Sequence, residues 1–272
     1  MSDARSIGVE RGGITGHDFV DPAVATSCLE DLRTHGVVVY RDAHIDDGDL
    51  VAFSRLLGEV VVAPFGGLRE HPEVSPVSLD PARSELAAFR RSNFFWHIDG
   101  STDLVPQKAS LLAAREIAEA GGDTEFASTY AAYEALPEAR KAELAQVRVV
   151  HSFAASQLLV NPDPSPKERA AWDRVAPREH PLVWTRSDGR CSLLIGATAG
   201  EVVGCGPEEG RRILDDLLDW CTRPQYVLRH SWRPGDLVIW DNTGMLHRAL
   251  PYEPTSRRLL HRTTLVGELT VA

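Results

Sequence analysis

The pattern of apolar positions along the chain predicts three amphipathic helices. In each of them apolar side chains recur three or four positions apart, the spacing that places them on one helical face. The first helix begins at Asp21–Pro22 and ends at Gly36, the second begins at Asp46 or Asp47, and the third begins at Pro207. Their apolar stripes are, in order, Cys28, Leu29 and Leu32; Leu50, Phe53, Leu56 and Leu57; and Ile213, Leu214, Leu217, Leu218 and Cys221.

Short apolar runs bounded by proline and glycine predict β-strands elsewhere in the chain. Val37–Tyr40 (VVVY) and Lys108–Glu116 (KASLLAARE) are two of them, and Gly121–Thr124 (GGDT) has the composition of a turn. Three more strands are predicted near the C-terminus, in QYVLRHSW, DLVIWDN and RLLHRTTLVG. Many short strands with few helices favour a β-sandwich or barrel decorated by helices. Strands do not alternate regularly with helices, which disfavours a doubly wound parallel sheet.

Composition narrows the class of protein. The 272 residues suit one domain, 1–272, and 43% apolar residues are enough for a substantial core. The formal net charge of −10 argues against binding to nucleic acid or to acidic membranes. The four cysteines form no C-x-x-C pair, and neither a signal peptide nor a membrane-spanning apolar run is visible. We therefore expect a cytoplasmic protein with neither a zinc ribbon nor a disulfide framework.

Motifs for nucleotide binding and for serine hydrolysis are not supported. In Gly204–Gly210 (GCGPEEG) the third glycine falls one position late for a dinucleotide-binding loop. The chain contains neither a phosphate-binding loop ending in Gly-Lys-Ser/Thr nor a G-x-S-x-G motif. The proline-rich and charged segment 152–180 is predicted to be an insertion that crosses the surface, a type of loop that often acts as a lid.

A candidate metal site begins in Phe94–Ser101 (FFWHIDGS). His97 and Asp99 are two positions apart, so on a strand their side chains point to the same face. Alone, the pair is weak support for a metal, because a hydrogen-bonded pair on a sheet face explains it equally well. His247, just after the predicted strand that ends in Trp-Asp-Asn, adds a second imidazole. Two imidazoles and one carboxylate are the ligands of Fe(II) enzymes that activate O₂, and they leave positions open on the metal.

An open iron site of this kind needs a bidentate co-substrate that supplies electrons. 2-Oxoglutarate would chelate iron through its 2-oxo and C1 carboxylate groups, and its C5 carboxylate would then need a cationic partner such as arginine. Arg258 lies 11 positions beyond His247. On a strand, one face would carry Arg258, Leu260, Arg262 and Thr264. Because two buried guanidiniums are costly without anionic partners, we expect both arginines to line one anion-binding cavity.

Taken in order, these elements resemble the taurine dioxygenase-like (clavaminate synthase-like) group of Fe(II)/2-oxoglutarate-dependent dioxygenases. The resemblance covers most of the chain. It is carried by NFFWHID at Asn93–Asp99, LAARE followed by GGDT, AAYEALP at Ala131–Pro137, RPGDLVIWDN-x₄-H at Arg233–His247, and R-x-x-x-R at Arg258 and Arg262. It implies a mostly β fold with peripheral helices around a double-stranded β-helix (jelly-roll, cupin-like) core. It also implies that the Fe(II) ligands are His97, Asp99 and His247.

The resemblance further implies roles for four polar residues. Thr124 and Arg258 would bind the C5 carboxylate of 2-oxoglutarate, Arg262 would meet the substrate anion or the C1 carboxylate, and Asn93 would lie on the substrate side. Thr124 could instead be only a turn residue, and Asn93 only a brace within a loop. Four further residues have structural interpretations as core aromatics or structural histidines, namely Trp96, Trp240, His151 and His261.

The implied reaction uses O₂ to decarboxylate 2-oxoglutarate to succinate and CO₂, coupled to hydroxylation or a related ferryl-driven C–H oxidation. The substrate would be a small acid carrying a carboxylate or sulfonate. Desaturation and cyclisation stay open because they use the same ligands, whereas the presence of Asp99 disfavours halogenation. Segments 64–92 and 152–180 would act as lids. The protein could form a homo-oligomer, either a dimer or a tetramer. The alternative function is a non-catalytic jelly roll that binds a metal or an organic acid.

Two departures from the taurine enzymes argue against taurine itself. In PFGGLREHPEVSPV, upstream of the His97 motif, neither Arg69 nor His71 aligns with the histidine that helps to hold sulfonate in those enzymes. In addition, LLIGATAG at Leu193–Gly200 replaces a bulkier stretch that contains an aromatic residue. We expect the smaller side chains to give a roomier pocket.

Overall fold

The computed structural model describes residues 7–62, 66–186 and 188–267. Its strands are β1 (Val9–Arg11), β2 (Val37–Tyr40), β3 (Ser75–Val77), β4 (Ala109–Glu116), β5 (Thr124–Ser128), β6 (Arg148–His151), β7 (Arg178–Pro181), β8 (Val183–Thr185), β9 (Cys191–Leu193), β10 (Ala199–Val202), β11 (Val227–His230), β12 (Leu237–Asp241), β13 (Met245–Ala249) and β14 (Leu259–Thr264). Its α-helices are α1 (Pro22–His35), α2 (Asp47–Leu57), α3 (Thr129–Glu134), α4 (Glu138–Leu144), α5 (Phe153–Leu158), α6 (Pro166–Trp172) and α7 (Pro207–Cys221). Three short 3₁₀ helices span Gly16–Val20, Ala87–Phe94 and Pro224–Tyr226.

The three helices predicted from periodicity are present, with the expected end signals. Asp21 accepts a hydrogen bond from the backbone N–H of Ala23 at the start of α1, and Gly36 ends that helix with φ +72°. Asp46 caps α2, and Pro207 is the first residue of α7. The predicted stripe of α2 was wrong in one position, since Leu56 is 40% exposed. It lies one position from Leu57, which the helix buries instead.

The strands form one large sheet and three small ones. The largest sheet has the strand order β1-β2-β12-β4-β14-β3, and a three-stranded sheet has the order β11-β5-β13. The remaining strands form the sheets β10-β6-β7 and β8-β9. Pairing is antiparallel except between β1 and β2. No helix within the described residues combines the length and the apolar content that a membrane crossing requires.

Alternation along the strands separates three apolar cores and stacks the elements in layers. Side chains on one face of the six-stranded sheet, such as Val38 and Leu111, pack with α1 and α2. Those on the other face, such as Val39, pack against Phe126 of β5. The opposite face of the three-stranded sheet buries residues such as Leu246 against α3 and α7. The order of layers is therefore helices, large sheet, small sheet, helices, and β13, which carries His247, lies at the inner seam.

Segment 152–180 has more regular structure than a surface loop. It contains α5, α6 and the first residues of β7, which pairs with β6. The side chain of Trp172 is buried, and the Phe153 ring packs edge-on against Phe89 with 5.6 Å between centroids. The amide of Gln157 donates a hydrogen bond to the hydroxyl of Ser92. These contacts join the segment to the 3₁₀ helix Ala87–Phe94. Residues 87–92 of that helix belong to the other predicted lid, 64–92.

Candidate metal centre

Backbone pairing brings the two predicted halves of the metal site together. His97 and His247 form an antiparallel bridge in which each backbone N–H donates to the other residue's carbonyl, at 3.0 and 2.9 Å. The alternation predicted for Trp96–Asp99 holds, because Trp96 and Ile98 enter the core beside α7. The side chains of His97 and Asp99 consequently point to the opposite side, toward the inner seam.

The three side chains are close enough to bind one metal ion. Nε2 of His247 lies 3.5 Å from Oδ2 of Asp99, and Nε2 of His97 lies 3.9 Å from Oδ1. One ligand atom from each residue falls within 4.8 Å of the others. Two nitrogen donors and one oxygen donor on one side of a metal suit Fe(II) with open positions, and the residues present therefore fit the ion that the sequence predicts.

Electrostatics favour the protonation states that a metal requires. Burial, together with the neighbouring His247, lowers the pKa of His97 to about 3, so the imidazole is neutral and can donate a lone pair. Burial alone would raise the pKa of Asp99, but Arg262 and His247 outweigh it and hold that pKa well below its usual value. His97 is thus a neutral imidazole and Asp99 a carboxylate.

A chain of buried hydrogen bonds orients the carboxylate of Asp99. The hydroxyl of Ser110 on β4 donates to Oδ2 of Asp99 at 2.9 Å, and Ser110 accepts from the side-chain amide of Asn242 at 2.9 Å. The amide oxygen of Asn242 accepts in turn from the indole N–H of Trp240 at 2.7 Å. The Trp240 ring also lies 4.8 Å from the ring of His247, so one network supports two of the three metal-site residues.

Arg262 lies on the metal side of β14. Its Nη1 is 3.4 Å from both carboxylate oxygens of Asp99, while its buried Nε has no hydrogen-bond partner among the described residues. Leu260 belongs to the inner core, as expected for a residue on the same face of the strand. His261 between them points the other way and pairs with Asp47 of α2 at 2.7 Å. The predicted shared face therefore holds for Leu260 and Arg262.

The glycine turn that leads into Thr124 packs against the side chain of Arg258. Arg258 is 3% exposed, and its side chain crosses Gly122 so closely that a Cβ there would lie 3.0 Å from Cδ and Nε. Gly122 has φ +74°, which a larger residue would adopt only with strain. Two residues later, Thr124 is buried and accepts a hydrogen bond from the indole N–H of Trp232 at 2.9 Å. Burial lowers the pKa of Arg258, as expected of a cation held for an anionic ligand.

The other predicted positions differ in how they relate to the site. Asn93 is half-buried in the 3₁₀ helix Ala87–Phe94, and its side chain has no hydrogen bond within the described ranges. Trp96 faces away from the metal centre and lines an outer groove of about 570 Å³, where Arg248 stacks on its ring. His151 is fully buried beside His180, and its Nδ1 lies 2.9 Å from the hydroxyl of Thr198. A structural role fits His151.

The stretch Leu193–Gly200 packs behind His97, and the roomier pocket expected from its small residues stays a prediction. Leu193, Leu194 and Ile195 are buried in the outer core beside α7. A Cβ on Gly196 would lie 2.7 Å from the carbonyl oxygen of Trp96 and 3.0 Å from Cα of His97. The small side chains let this segment pack directly against the backbone of Trp96 and His97.

Sequence reasoning missed three buried polar residues at this site. Ser110 and Asn242 lie within predicted strand regions, but nothing in their local pattern indicates that they support Asp99. Arg90 is 8% exposed and directs its guanidinium toward β3, where Nη2 donates to the carbonyl of Pro76 at 3.3 Å. Only its burial in the folded chain distinguishes Arg90 from Arg91, which is exposed.

Known proteins share this architecture over nearly the whole chain. A family model described as "Taurine catabolism dioxygenase TauD, TfdA family" matches residues 2–264. The alpha-ketoglutarate-dependent 2,4-dichlorophenoxyacetate dioxygenase of Burkholderia sp. (strain RASC) is 34% identical over 265 residues, covering 91% of this chain and 87% of the relative. The alpha-ketoglutarate-dependent sulfate ester dioxygenase of Pseudomonas putida is 30% identical over 277 residues, covering 98% of this chain and 89% of the relative.

A solved structure extends the likeness to the fold. The crystal structure of AAD-2 in complex with Mn(II) and N-oxalylglycine superposes with a TM-score of 0.80 at 28% identity. The superposition covers 98% of this chain and 96% of AAD-2.

Proposed function

Because this chain belongs to the taurine catabolism dioxygenase (TauD, TfdA) family, we propose that its metal centre oxidises a small organic anion at the expense of 2-oxoglutarate. The protein is an Fe(II)- and 2-oxoglutarate-dependent dioxygenase that uses O₂, as are its relatives. Its fold, a mixture of sheets and helices, is the jelly roll of its solved relatives. We take the two facing sheets as the double-stranded β-helix core and the surrounding helices as peripheral.

One observation carries the assignment of residues, namely that ligand atoms of His97, Asp99 and His247 converge within 4.8 Å. These three would hold Fe(II), which with 2-oxoglutarate and O₂ supplies the oxidising chemistry. Ser110 would keep the carboxylate of Asp99 oriented, and Arg262 would keep it ionised.

The co-substrate and the substrate would be bound by separate cationic groups. Arg258, with Thr124 beside it, would bind the C5 carboxylate of 2-oxoglutarate, since a buried guanidinium gives that carboxylate a bidentate partner. Arg262 would meet the substrate anion, with Asn93 on the same side. By name, the relatives act on 2,4-dichlorophenoxyacetate and on sulfate esters. An anionic headgroup, carboxylate or sulfur-based, is therefore the substrate feature that we propose for this chain.

The segments 64–92 and 152–180 are proposed as lids over the substrate side. The Phe89–Phe153 contact and the Gln157–Ser92 hydrogen bond join them, so movement of one would be transmitted to the other. A homo-oligomer stays a prediction.

Anaerobic titration with Fe(II) and 2-oxoglutarate tests the assignment. The chelate gives a weak visible charge-transfer band, and we expect it in the wild type and its loss in His247→Ala. His17→Ala, which removes an imidazole that is 82% exposed, is the matched control and should keep the band. A band of unchanged intensity in His247→Ala would contradict the assignment, and no band in the wild type would favour a non-catalytic metal-binding jelly roll.

A further inference from the structure

Arg90 is a buried cation that the proposed chemistry does not yet use. It lies in the 3₁₀ helix Ala87–Phe94 and is 8% exposed, whereas the adjacent Arg91 points to solvent. Arginine is almost never buried without a partner, because removing its charge from water is costly. A buried guanidinium in this position needs an explanation.

The partners of Arg90 do not compensate its charge. Within residues 7–62, 66–186 and 188–267, its one side-chain hydrogen bond goes to the carbonyl of Pro76, at 3.3 Å, and Nε has no partner. No carboxylate in those ranges forms an ion pair with it. Burial, and then the positive charge of Arg262, lower the pKa of Arg90 to about 9. Arg90 therefore lacks an anionic partner among the described residues.

Arg90 lies against the edge strand β3 of the six-stranded sheet, one strand from Arg262. Its guanidinium contacts the backbone of β3 at Pro76, next to Ser75, which pairs directly with Arg262 on β14. Arg262, Asp99 and Tyr252 are the charged or ionisable groups that act on it. Nε of Arg262 is also buried without a partner. Two guanidiniums with unused donors therefore act on each other electrostatically, and both act on Asp99.

The formal charges of the proposed complex indicate which kind of ligand these N–H donors would bind. The proposed assignment gives Fe(II) two positive charges and Arg258 one, which balance the three negative charges of 2-oxoglutarate and Asp99. Arg90 and Arg262 are then left with two positive charges in a water-poor space. An anionic substrate headgroup would neutralise at least one of them and would satisfy the unused N–H groups.

We propose that Arg90 is a specificity-determining residue that binds the anionic headgroup of the substrate together with Arg262. The inference rests on the proposed function and adds a residue and a charge requirement to it. The headgroup is a planar carboxylate or a sulfate monoester, since both offer several oxygens to two guanidiniums. Neutral analogues of the same shape would be rejected, because they would leave the buried Arg90 guanidinium without an anionic partner.

Calorimetric titration of the anaerobic Fe(II)–2-oxoglutarate complex tests the proposal with three probes. Phenoxyacetate carries a carboxylate, phenyl sulfate carries a sulfate ester, and 2-phenoxyethanol is a neutral analogue. The variants are Arg90→Met, which keeps length without charge, Arg90→Lys, which keeps charge without the planar fork, and Arg91→Met as the exposed control.

We expect at least one anionic probe to bind the wild type and the Arg91→Met variant with similar Kd, and 2-phenoxyethanol to bind far more weakly. Arg90→Met should raise the Kd of that anion about 10- to 100-fold, and Arg90→Lys should raise it less. The Kd of 2-oxoglutarate should change by less than about threefold, a limit set by its separate partner Arg258. The anion that loses more affinity identifies the headgroup.

Thermal melting of the ligand-free protein separates this role from a structural one. If Arg90 serves the substrate, Arg90→Met removes an uncompensated buried charge and should melt no lower than the wild type. A lower Tm with equally weakened 2-oxoglutarate binding would show a brace for β3 and overturn the proposal. Unchanged anion binding in Arg90→Met, or no anion binding by the wild type, would also overturn it. Absence of the charge-transfer band from the wild type would instead refute the proposed function.

Discussion

At the scale of single residues, Asp99 connects the proposed metal site with Arg262 and with the buried polar residues behind it. Its carboxylate faces both imidazoles, accepts a hydrogen bond from Ser110, and lies 3.4 Å from the Arg262 guanidinium. A carboxylate held in this way presents its oxygens in one orientation, which reduces the reorganisation required when a metal binds. The residues that orient Asp99 should therefore affect metal affinity without contacting the metal.

Ser110→Ala should weaken Fe(II) binding. Loss of the hydroxyl leaves Asp99 free to rotate and removes the acceptor of the Asn242 amide, so we expect about a 10- to 100-fold rise in the Kd for Fe(II). Equilibrium binding of Fe(II) under anaerobic conditions measures it. Ser54→Ala is a suitable control, since Ser54 is equally buried but bonds to Thr263 on the helix side of the large sheet. Equal effects of the two variants would contradict the role given to Ser110.

Arg258 and Arg262 should affect different ligands. Arg258→Ala should raise the KM for 2-oxoglutarate by roughly 10-fold or more with a smaller effect on the organic substrate, because it leaves the C5 carboxylate without its buried partner. Arg262→Ala should do the reverse. Succinate release measured against each substrate in turn tests both. If both variants raised the two KM values equally, the division between the arginines would be wrong.

Residues of the site differ in how far the sequence predicts them. His97, Asp99 and His247 are predicted because a metal requires particular donor atoms, which few residue types provide. Ser110, Asn242 and Arg90 are not, since serine, asparagine and arginine occur throughout the chain and their role depends on contacts between distant segments. Burial decides their function, and burial of a polar residue is not encoded in local periodicity.

At the scale of elements, β14 connects the metal side of the large sheet with its helix side. Arg262 projects toward Asp99, while His261 projects to Asp47 at the start of α2, where Arg115 of β4 also pairs with the same carboxylate at 2.6 Å. The Asp47 cluster thus fastens α2 to the two strands that border the site. Burial would raise the pKa of Asp47, but hydrogen bonds from His261 and Arg115 outweigh it and lower the pKa to about 2.

Asp47→Asn should cost about 1–2 kcal/mol of unfolding free energy at neutral pH. The folded pKa lies below the ordinary value of 3.8, so the stabilisation is complete above about pH 4 and is lost as the pH falls toward about 2. The difference between wild type and variant should therefore shrink between pH 4 and pH 2. Urea denaturation at several pH values measures it, with Asp216→Asn on the exposed face of α7 as a control for the surface. A difference independent of pH would exclude this linkage.

The elements were predicted where their apolar pattern is clear. α1, α2 and α7 each bury one face, which imposes a regular repeat on the sequence, whereas β2, β4 and β12 are buried on both faces and appear as continuous apolar runs. α3, α4 and β6 were not predicted, because six or seven helical residues give too few repeats to establish a period, and β6 (RVVH) is not a continuous apolar run. The proline-rich composition of 152–180 predicted a surface insertion, yet the capping box at Ser165 and Glu168 starts α6 there.

At the scale of the whole molecule, the two proposed lids lie beside each other although they are far apart in sequence. They contact each other at the 3₁₀ helix Ala87–Phe94, which contains Arg90 and Asn93. Ligand binding to these residues would order the contact between the lids and so protect 152–180.

Limited proteolysis with trypsin should detect that protection. Lys167 and Arg169 are exposed on α6, and we expect cleavage there to slow several-fold when Fe(II), 2-oxoglutarate and an anionic substrate are bound. Cleavage at Arg211 on α7, which is exposed and distant in sequence from the lids, provides the internal reference. If both sites slowed by the same factor, the ligands would be stabilising the whole fold and not the lid.

The backbone bridge between His97 and His247 has a consequence for the safety of the chemistry. These residues are 150 positions apart, and their mutual hydrogen bonds exist only when the two distant segments that carry them have folded onto each other. A nascent or partly unfolded chain cannot assemble the three donors, so under the proposed assignment it would not retain a ferrous ion and would not expose itself to uncontrolled oxidation. Maturation of the polypeptide is in this way the precondition for its reactivity.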